Sequence, residues 1–480
     1  MNKTYLISQT SSFTLLILIS FAFAIIGIYY SKKFKGINNY LTANRSVGLF
    51  SLTTSLTASA LGAWILFGPA SAATWGGLGS IIGYSLGTAF PMFILIYLGK
   101  KIRKEFPQGS SLIEFMRKKF GKSLFKLILL MTIFYMFIFL CAEVTAVAIL
   151  INYMSGAELW TTALIVLFFT LLYTLYGGLR ASIFTDNIQM IVIIIILIFS
   201  FIYIYSFMGN QFSFSFVKEK NPHLISSSYV TGFTAGLTFF IAVAATNLFH
   251  QGNWQRVYAA KNFETLKKSL IISFFIIIPI VFFMGFSGMV AFSIDSTIRP
   301  DLGFFTLILK EQTTVLSFIV IILGLALTIS TVDTLINAIS SLIVVDGKAF
   351  FNFKKKINYL NFSQYIIVFL SLISFIIASK GFDILYLFLL ADLFCCSFVM
   401  TVFYSFYNKN VKEKTAYISI LTGLICGFLF FPSPDFSKSL LVGVLMPKEL
   451  FTPFISQSLL FLSFVIATFL PFLVIKAKKF

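Results

Sequence analysis

The sequence predicts an all-α polytopic membrane protein of about 13 transmembrane helices in a single domain spanning all 480 residues. Three observations carry that prediction. The chain is 58% hydrophobic and only 11% charged, whereas a typical globular chain is about a quarter charged. Mean hydropathy is +0.95. Sixty-one Phe, with Ile and Leu, build repeated apolar runs, and crossing the hydrocarbon takes roughly 20 such residues. Basic residues also alternate between loops. They cluster at 32–45, 100–126, 180, 256–268, 348–356, 409–414 and 476–479. The intervening loops hold only Lys3, Lys218, Lys220, Arg299, Lys310, Lys380, Lys438 and Lys448. This is the positive-inside pattern. It puts the basic loops in the cytoplasm, the amino terminus outside and the carboxyl terminus inside, as expected for a multi-pass protein of the inner (plasma) membrane. It also requires an odd number of spans, and it explains the net charge of +19 without nucleic acid.

Taken in order, spans are expected near 12–30, 49–75, 78–99, 123–153, 160–176, 182–207, 229–250, 268–294, 314–342, 363–380, 382–407, 415–432 and 452–476. The first is followed by Lys32, Lys33 and Lys35 and lacks a small-residue cleavage site, so it reads as a retained helix. The second is rich in helix-weakening residues: Ser55, Thr57, Ser59 and Gly62 precede Gly68–Pro69. Such a run is either a kinked packing helix or an interruption whose freed carbonyls bind an ion or substrate. The seventh carries a second candidate break, with Gly232, Gly236, Asn247 and His250 inside 232–252. Interrupted spans two and seven would hold equivalent places in two five-helix halves, the pattern of an inverted-repeat transporter. The longer connections are 100–122 inside, and 208–228 and 294–313 outside. No linker, appended soluble domain or low-complexity segment is expected.

The ninth span is the most informative. Over 324–346, Ser330, Asp333, Thr334, Asn337, Ser340 and Ser341 recur at three- and four-residue steps and share one helical face. Ile329, Val332, Leu335, Ile336, Ile339, Leu342 and Ile343 fill the other. A polar stripe in a membrane span lines a cavity or packs against partner helices. Hydroxyls beside a carboxylate suit a hard cation that has shed its water. Cys141, Cys395, Cys396 and Cys426 lie in apolar runs and suggest packing rather than disulfides. His223 and His250 fall on opposite sides of the membrane and form no metal pair. No phosphate loop, dinucleotide fingerprint or nucleophile elbow is present, so the chain is not expected to be an enzyme and needs no cofactor.

Four motifs in order then resemble one family. They are Asn39–Gly48 (NYLTANRSVG), Leu175–Gln189 (LYGGLRASIFTDNIQ), Gln251–Lys261 (QGNWQRVYAAK) and Ser330–Thr331 in the ninth span. On these the chain resembles the sodium/solute symporter family, which includes proline, pantothenate, sialic acid and sugar cotransporters. The resemblance implies a leucine-transporter-like core of two inverted five-helix repeats, 49–207 and 229–407. One helix (12–30) precedes this core and two (415–476) follow it. It implies sodium ligation by the carbonyls of Ala58, Leu61 and Leu327 and the side chains of Ser330 and Thr331, with Asp186 and Asp333 along the ion path. Asp186 could instead cap the sixth helix. Substrate would sit near mid-membrane between spans two, four, seven and eleven, with Gly62, Trp64, Glu143, Asn247 and Asp392 as candidate contacts.

The sequence departs from some relatives. Ala60-Leu61-Gly62-Ala63-Trp64 lacks a second-span aspartate, and Ala244-Ala245-Thr246-Asn247 lacks the aromatic gate of sugar carriers. Glu143 and Asp392 are two mid-span acids, each of which needs a partner, a proton or a cavity. The expected function is sodium-driven symport of a small solute, with proline or a similar zwitterion as the leading substrate. Other symported solutes, a proton-coupled carrier and a solute sensor are the alternatives. The expected partners are thus the solute, Na+ and the lipid bilayer, with oligomeric state open.

Overall fold

The computed structural model describes residues 5–34, 36–351, 357–408, 410–445, 447 and 452–477. Of the basic-loop pattern, Lys3, Lys35, Lys354, Lys355, Lys356, Lys409, Lys448, Lys478 and Lys479 lie outside the described residues. Eleven described helices are long and apolar enough to cross a membrane. Two of them, Gly68–Glu105 and Leu159–Met208, turn at a glycine in the left-handed region, Gly77 (φ +54°) and Gly178 (φ +58°), so each contributes two legs. The first leg of Gly68–Glu105 completes the second span begun by Leu49–Ala60. The crossings therefore number thirteen, as the hydropathy and charge alternation required.

Only glycine adopts that backbone at no steric cost, and both sites are also crowded. A Cβ on Gly77 would strike the backbone of Leu224, and one on Gly178 would strike Tyr40. The helix pairs 2–3 and 5–6 are thus joined without a loop.

The basic loops gather on one face and close it. Arg103 donates to the carbonyls of Val257 and Ala260 at 2.8 and 3.0 Å, and Arg45 to that of Gly109 at 2.8 Å. Lys101 reaches the carbonyl of Phe406 at 2.6 Å, and Arg180 that of Ala43 at 2.9 Å. The connection at 100–122 carries helix Leu112–Lys119, started by a capping box of Ser111 and Glu114. On the opposite face the long connections hold helices Phe214–Lys220 and Gly303–Ile308.

The structure locates one candidate break and corrects the other. The second span breaks at Leu61–Gly62, where the backbone is extended, and resumes after Phe67 with Pro69 in the first turn. Proline is tolerated there because its missing N–H has no helical partner, so the interruption precedes Gly68–Pro69. In the seventh span, Gly232, Gly236 and Asn247 lie within the continuous helix Val230–Phe249. The break falls at His250, where Gln251–Ala259 begins. Gly232 and Gly236 instead meet Gly79 and Gly83 of span three so closely that a Cβ on Gly79 or Gly83 would hit the facing carbonyl, as small residues allow in membrane packing. The ninth span, Thr314–Phe351, is buried on all sides from Leu323 to Ile343, so its apolar face meets protein rather than lipid. The four cysteines are free, and Cys141, Cys395 and Cys396 are buried.

Candidate ion and solute site

The break in span two lies beside the polar face of span nine, and a buried ionic network ties the two to span six. Asp186 and Arg256 pair at 2.8 Å with both side chains fully enclosed. Ser55 donates to the Asp186 carboxylate at 2.5 Å and Ser330 at 2.6 Å. Arg256 spends three further donors on Ser55 (2.6 Å), the Gly252 carbonyl (3.0 Å) and Thr334 (2.9 Å). Such satisfaction is what allows two charges to stay in a low-dielectric interior. Asp186 lies within the helical run after the Gly178 turn and pairs with arginine, so it does not cap a helix.

Among the expected sodium ligands, two hydroxyls have their hydrogens anchored. Ser330 donates to Asp186, and Thr331 donates to the Leu327 carbonyl at 3.1 Å. A hydroxyl fixed in this way presents its lone pairs elsewhere. The Ala58 carbonyl accepts one long bond from the Leu61 amide at 3.3 Å, at the point where the helix ends. Leu327 is the ligand whose carbonyl is already shared. Asp333 stands apart. It accepts from Tyr173 (2.6 Å), Ser182 (2.8 Å), Thr185 (3.2 Å) and Thr334 (3.4 Å) and is fully buried.

The expected solute contacts divide. Trp64, Asn247 and Asp392 line one small cavity with Ser59, Tyr84 and Phe388. Gly62 and Glu143 do not line it. Glu143 accepts the Ala63 amide at 2.8 Å, and a Cβ on Gly62 would collide with its carboxylate. The acid thus caps the helical turn that follows the break, where a negative group is favoured. Sequence reading missed Tyr84, Phe388, Thr246 and His250 as lining residues and Arg256 as the partner of Asp186. The signal for Arg256 was an arginine set between Trp254 and Tyr258, too apolar a setting for a solvated loop cation.

Above this cavity, on the face opposite the basic loops, opens a vestibule of about 900 Å³ lined by Ser71, Trp75, Asn152, Arg299, Asp301 and Asp383, among others. Burial raises the Asp383 carboxyl above its ordinary range, and the hydrogen bond to Asp301 raises Arg299.

The family model of the sodium:solute symporter family matches residues 40–423. The chain belongs to this family. The symporter is similar to a spermidine transporter of Candida albicans, 26% identical over 394 residues, which is 81% of this chain and 73% of that one. It is also similar to a sodium/glucose cotransporter of Vibrio parahaemolyticus, 23% identical over 56% of this chain and 53% of that one. A sodium/glucose cotransporter 4 of Danio rerio is 26% identical over 32% of this chain and 24% of its own length. The symporter thus spans about half or less of the sugar carriers it matches. Among solved structures, the substrate-bound outward-open state of a Na+-coupled sialic acid symporter superposes with TM-score 0.72 at 17% identity, covering 98% of this chain and 97% of that one. An inward-facing structure of Mhp1 gives 0.57 at 15% identity, covering 91% and 92%. These likenesses show the leucine-transporter-like fold. As a member of this family the chain is a membrane transporter and not an enzyme.

Proposed function

We propose that the symporter couples inward sodium flow to uptake of a small organic solute by alternating access. The observation that carries this reading is the junction of spans two and nine. A helix ends at Ala58–Leu61 beside Ser330 and Thr331, whose hydrogens are committed and whose lone pairs are free. An all-oxygen set of carbonyls and hydroxyls suits a hard cation, and half-helix ends are the usual place for coupling ions in such folds. The family supports sodium as that ion. We take 49–207 and 229–407 as the inverted halves, with the basic face cytoplasmic by charge. Sodium and solute enter through the vestibule, the halves rock, and both leave on the basic side. Asp186 with Arg256 forms the neutral floor beneath the ion, and Asp333 is assigned to the exit path.

The expectation of proline is not carried forward. The relatives are named for spermidine and sugars, and Glu143 does not line the central cavity where a substrate amine would sit. A differential sodium affinity of about 1–3 kcal/mol between the two facing states is enough for useful coupling. The test is sodium-driven flux in proteoliposomes for Ser330→Ala and Thr331→Ala. Each variant is expected to weaken sodium dependence by on the order of tenfold, the loss of one ligand to a charged group. Unchanged sodium dependence in both removes the proposed ion site.

A further inference from the structure

Four polar side chains of the central cavity present chiefly acceptors to a ligand. Three of its hydroxyls have their hydrogens spent inside the protein: Ser59 on the Ser55 carbonyl at 2.6 Å, Thr331 on the Leu327 carbonyl at 3.1 Å, and Thr246 on the Asp392 carboxylate at 2.6 Å. Asn247 bonds the Val243 carbonyl through Nδ2 at 3.0 Å. What these groups turn towards a ligand is weighted to lone pairs.

Asp392 is only 4% exposed. Thr246 is the one hydrogen-bond donor it has among the described residues, and no lysine or arginine there pairs with it. A buried carboxylate without a cation takes up either a proton or a cationic partner, and this one faces a cavity that can admit the latter. Aromatic rings stand around it. Trp64 stacks on Tyr84 with centroids 5.4 Å apart, and Phe388 meets Trp64 edge-on at 6.4 Å. Tyr84 is itself stacked on Phe239 at 4.6 Å, so the aromatic face left for an ammonium is that of Trp64.

The place where a substrate carboxylate would dock is already filled. Amides freed at a half-helix start are the usual recipients of a substrate anion, and at the span-two break the Ala63 amide is bound by Glu143. The chain supplies its own carboxylate there. A zwitterion would therefore find its usual anion seat at this break occupied, and a polyol would bring no cation to Asp392.

Resting on the symport reading for its route and driving ion, we infer that the solute is a protonated amine. Its ammonium lies against Asp392 and its carbon skeleton among Trp64, Tyr84 and Phe388. In this conformation the cavity is about 20 Å³, room for a single water, so loading requires the spans to part.

The experiment uses the purified full chain in proteoliposomes with an inward sodium gradient. The labelled probes are butane-1,4-diamine, choline, proline and glucose, with binding of ²²Na+ measured in parallel. Uptake of the diamine, without proline or glucose, is expected, and uptake of choline, a quaternary ammonium with no N–H, in place of the diamine overturns the protonated-amine assignment. Asp392→Asn should weaken amine binding by on the order of tenfold to a hundredfold, the loss of a charged hydrogen bond. Asp392→Glu should retain amine binding, and ²²Na+ binding by Asp392→Asn reports that the variant is folded. Sodium-driven uptake of proline or glucose without an amine overturns the inference, as does failure of every amine probe. Amine binding of equal strength in Asp392→Asn and the unaltered chain overturns it too. Amine uptake that ignores sodium supports the inference and overturns the symport reading instead.

Discussion

At the scale of single residues, the decisive feature is that four buried mid-span acids have four different partners. Asp186 has arginine, Asp333 has four hydroxyls, Glu143 has a backbone amide, and Asp392 has one threonine and a small cavity. Arg256→Met would leave Asp186 charged and unpaired, a loss of about 3–5 kcal/mol. The double variant Asp186→Asn with Arg256→Met should recover most of it, and thermal melting in detergent reads both. Gly62→Ala places a methyl group against the Glu143 carboxylate. It should lower both melting temperature and sodium-driven flux, whereas Gly48→Ala, which points into open space, should change either only slightly. The acids themselves were plain in the sequence. Their partners were not, because a mid-span carboxylate reads alike whether it meets a guanidinium or a solute.

At the scale of elements, the same glycines can read as weakness or as contact. Gly79 and Gly83 in span three and Gly232 and Gly236 in span seven each sit four residues apart, the spacing that lets two helices approach closely. Read within one span, Gly232 and Gly236 suggested an interruption. Facing span three, they are the seam itself, and helix Val230–Phe249 is unbroken. Gly83→Leu should therefore force the two helices apart at a cost of about 1–3 kcal/mol, seen as a lower melting temperature. Gly209→Ala, in open space though at positive φ, should cost about the 1 kcal/mol expected of a strained backbone position alone. Span two shows the converse. Its interruption was legible from Ser, Thr, Gly and Pro as a run, and the structure narrows it to 61–67, because Pro69 starts a helix rather than ending one.

At the scale of the whole molecule, charge sets orientation and the loops close one face. The basic connections meet each other through arginine and lysine bonds to backbone carbonyls, while the other face opens into the vestibule. If the basic face is cytoplasmic, a membrane-impermeant maleimide should label Ser227→Cys in intact cells. It should label Lys267→Cys only after permeabilisation, both positions being exposed. The reverse pattern would invert the transporter and the direction of coupling.

What the sequence determined by itself was the class, the number of crossings, their order and the family. These rest on hydropathy, charge alternation and short motifs, all of which are local along the chain. Only the tertiary structure decided what each polar group is for. Arg256 lies 70 residues from Asp186, and Thr246 lies 146 from Asp392. Whether a buried charge is neutralised, capped or left facing a cavity depends on which helix lies alongside, and packing alone chooses that neighbour.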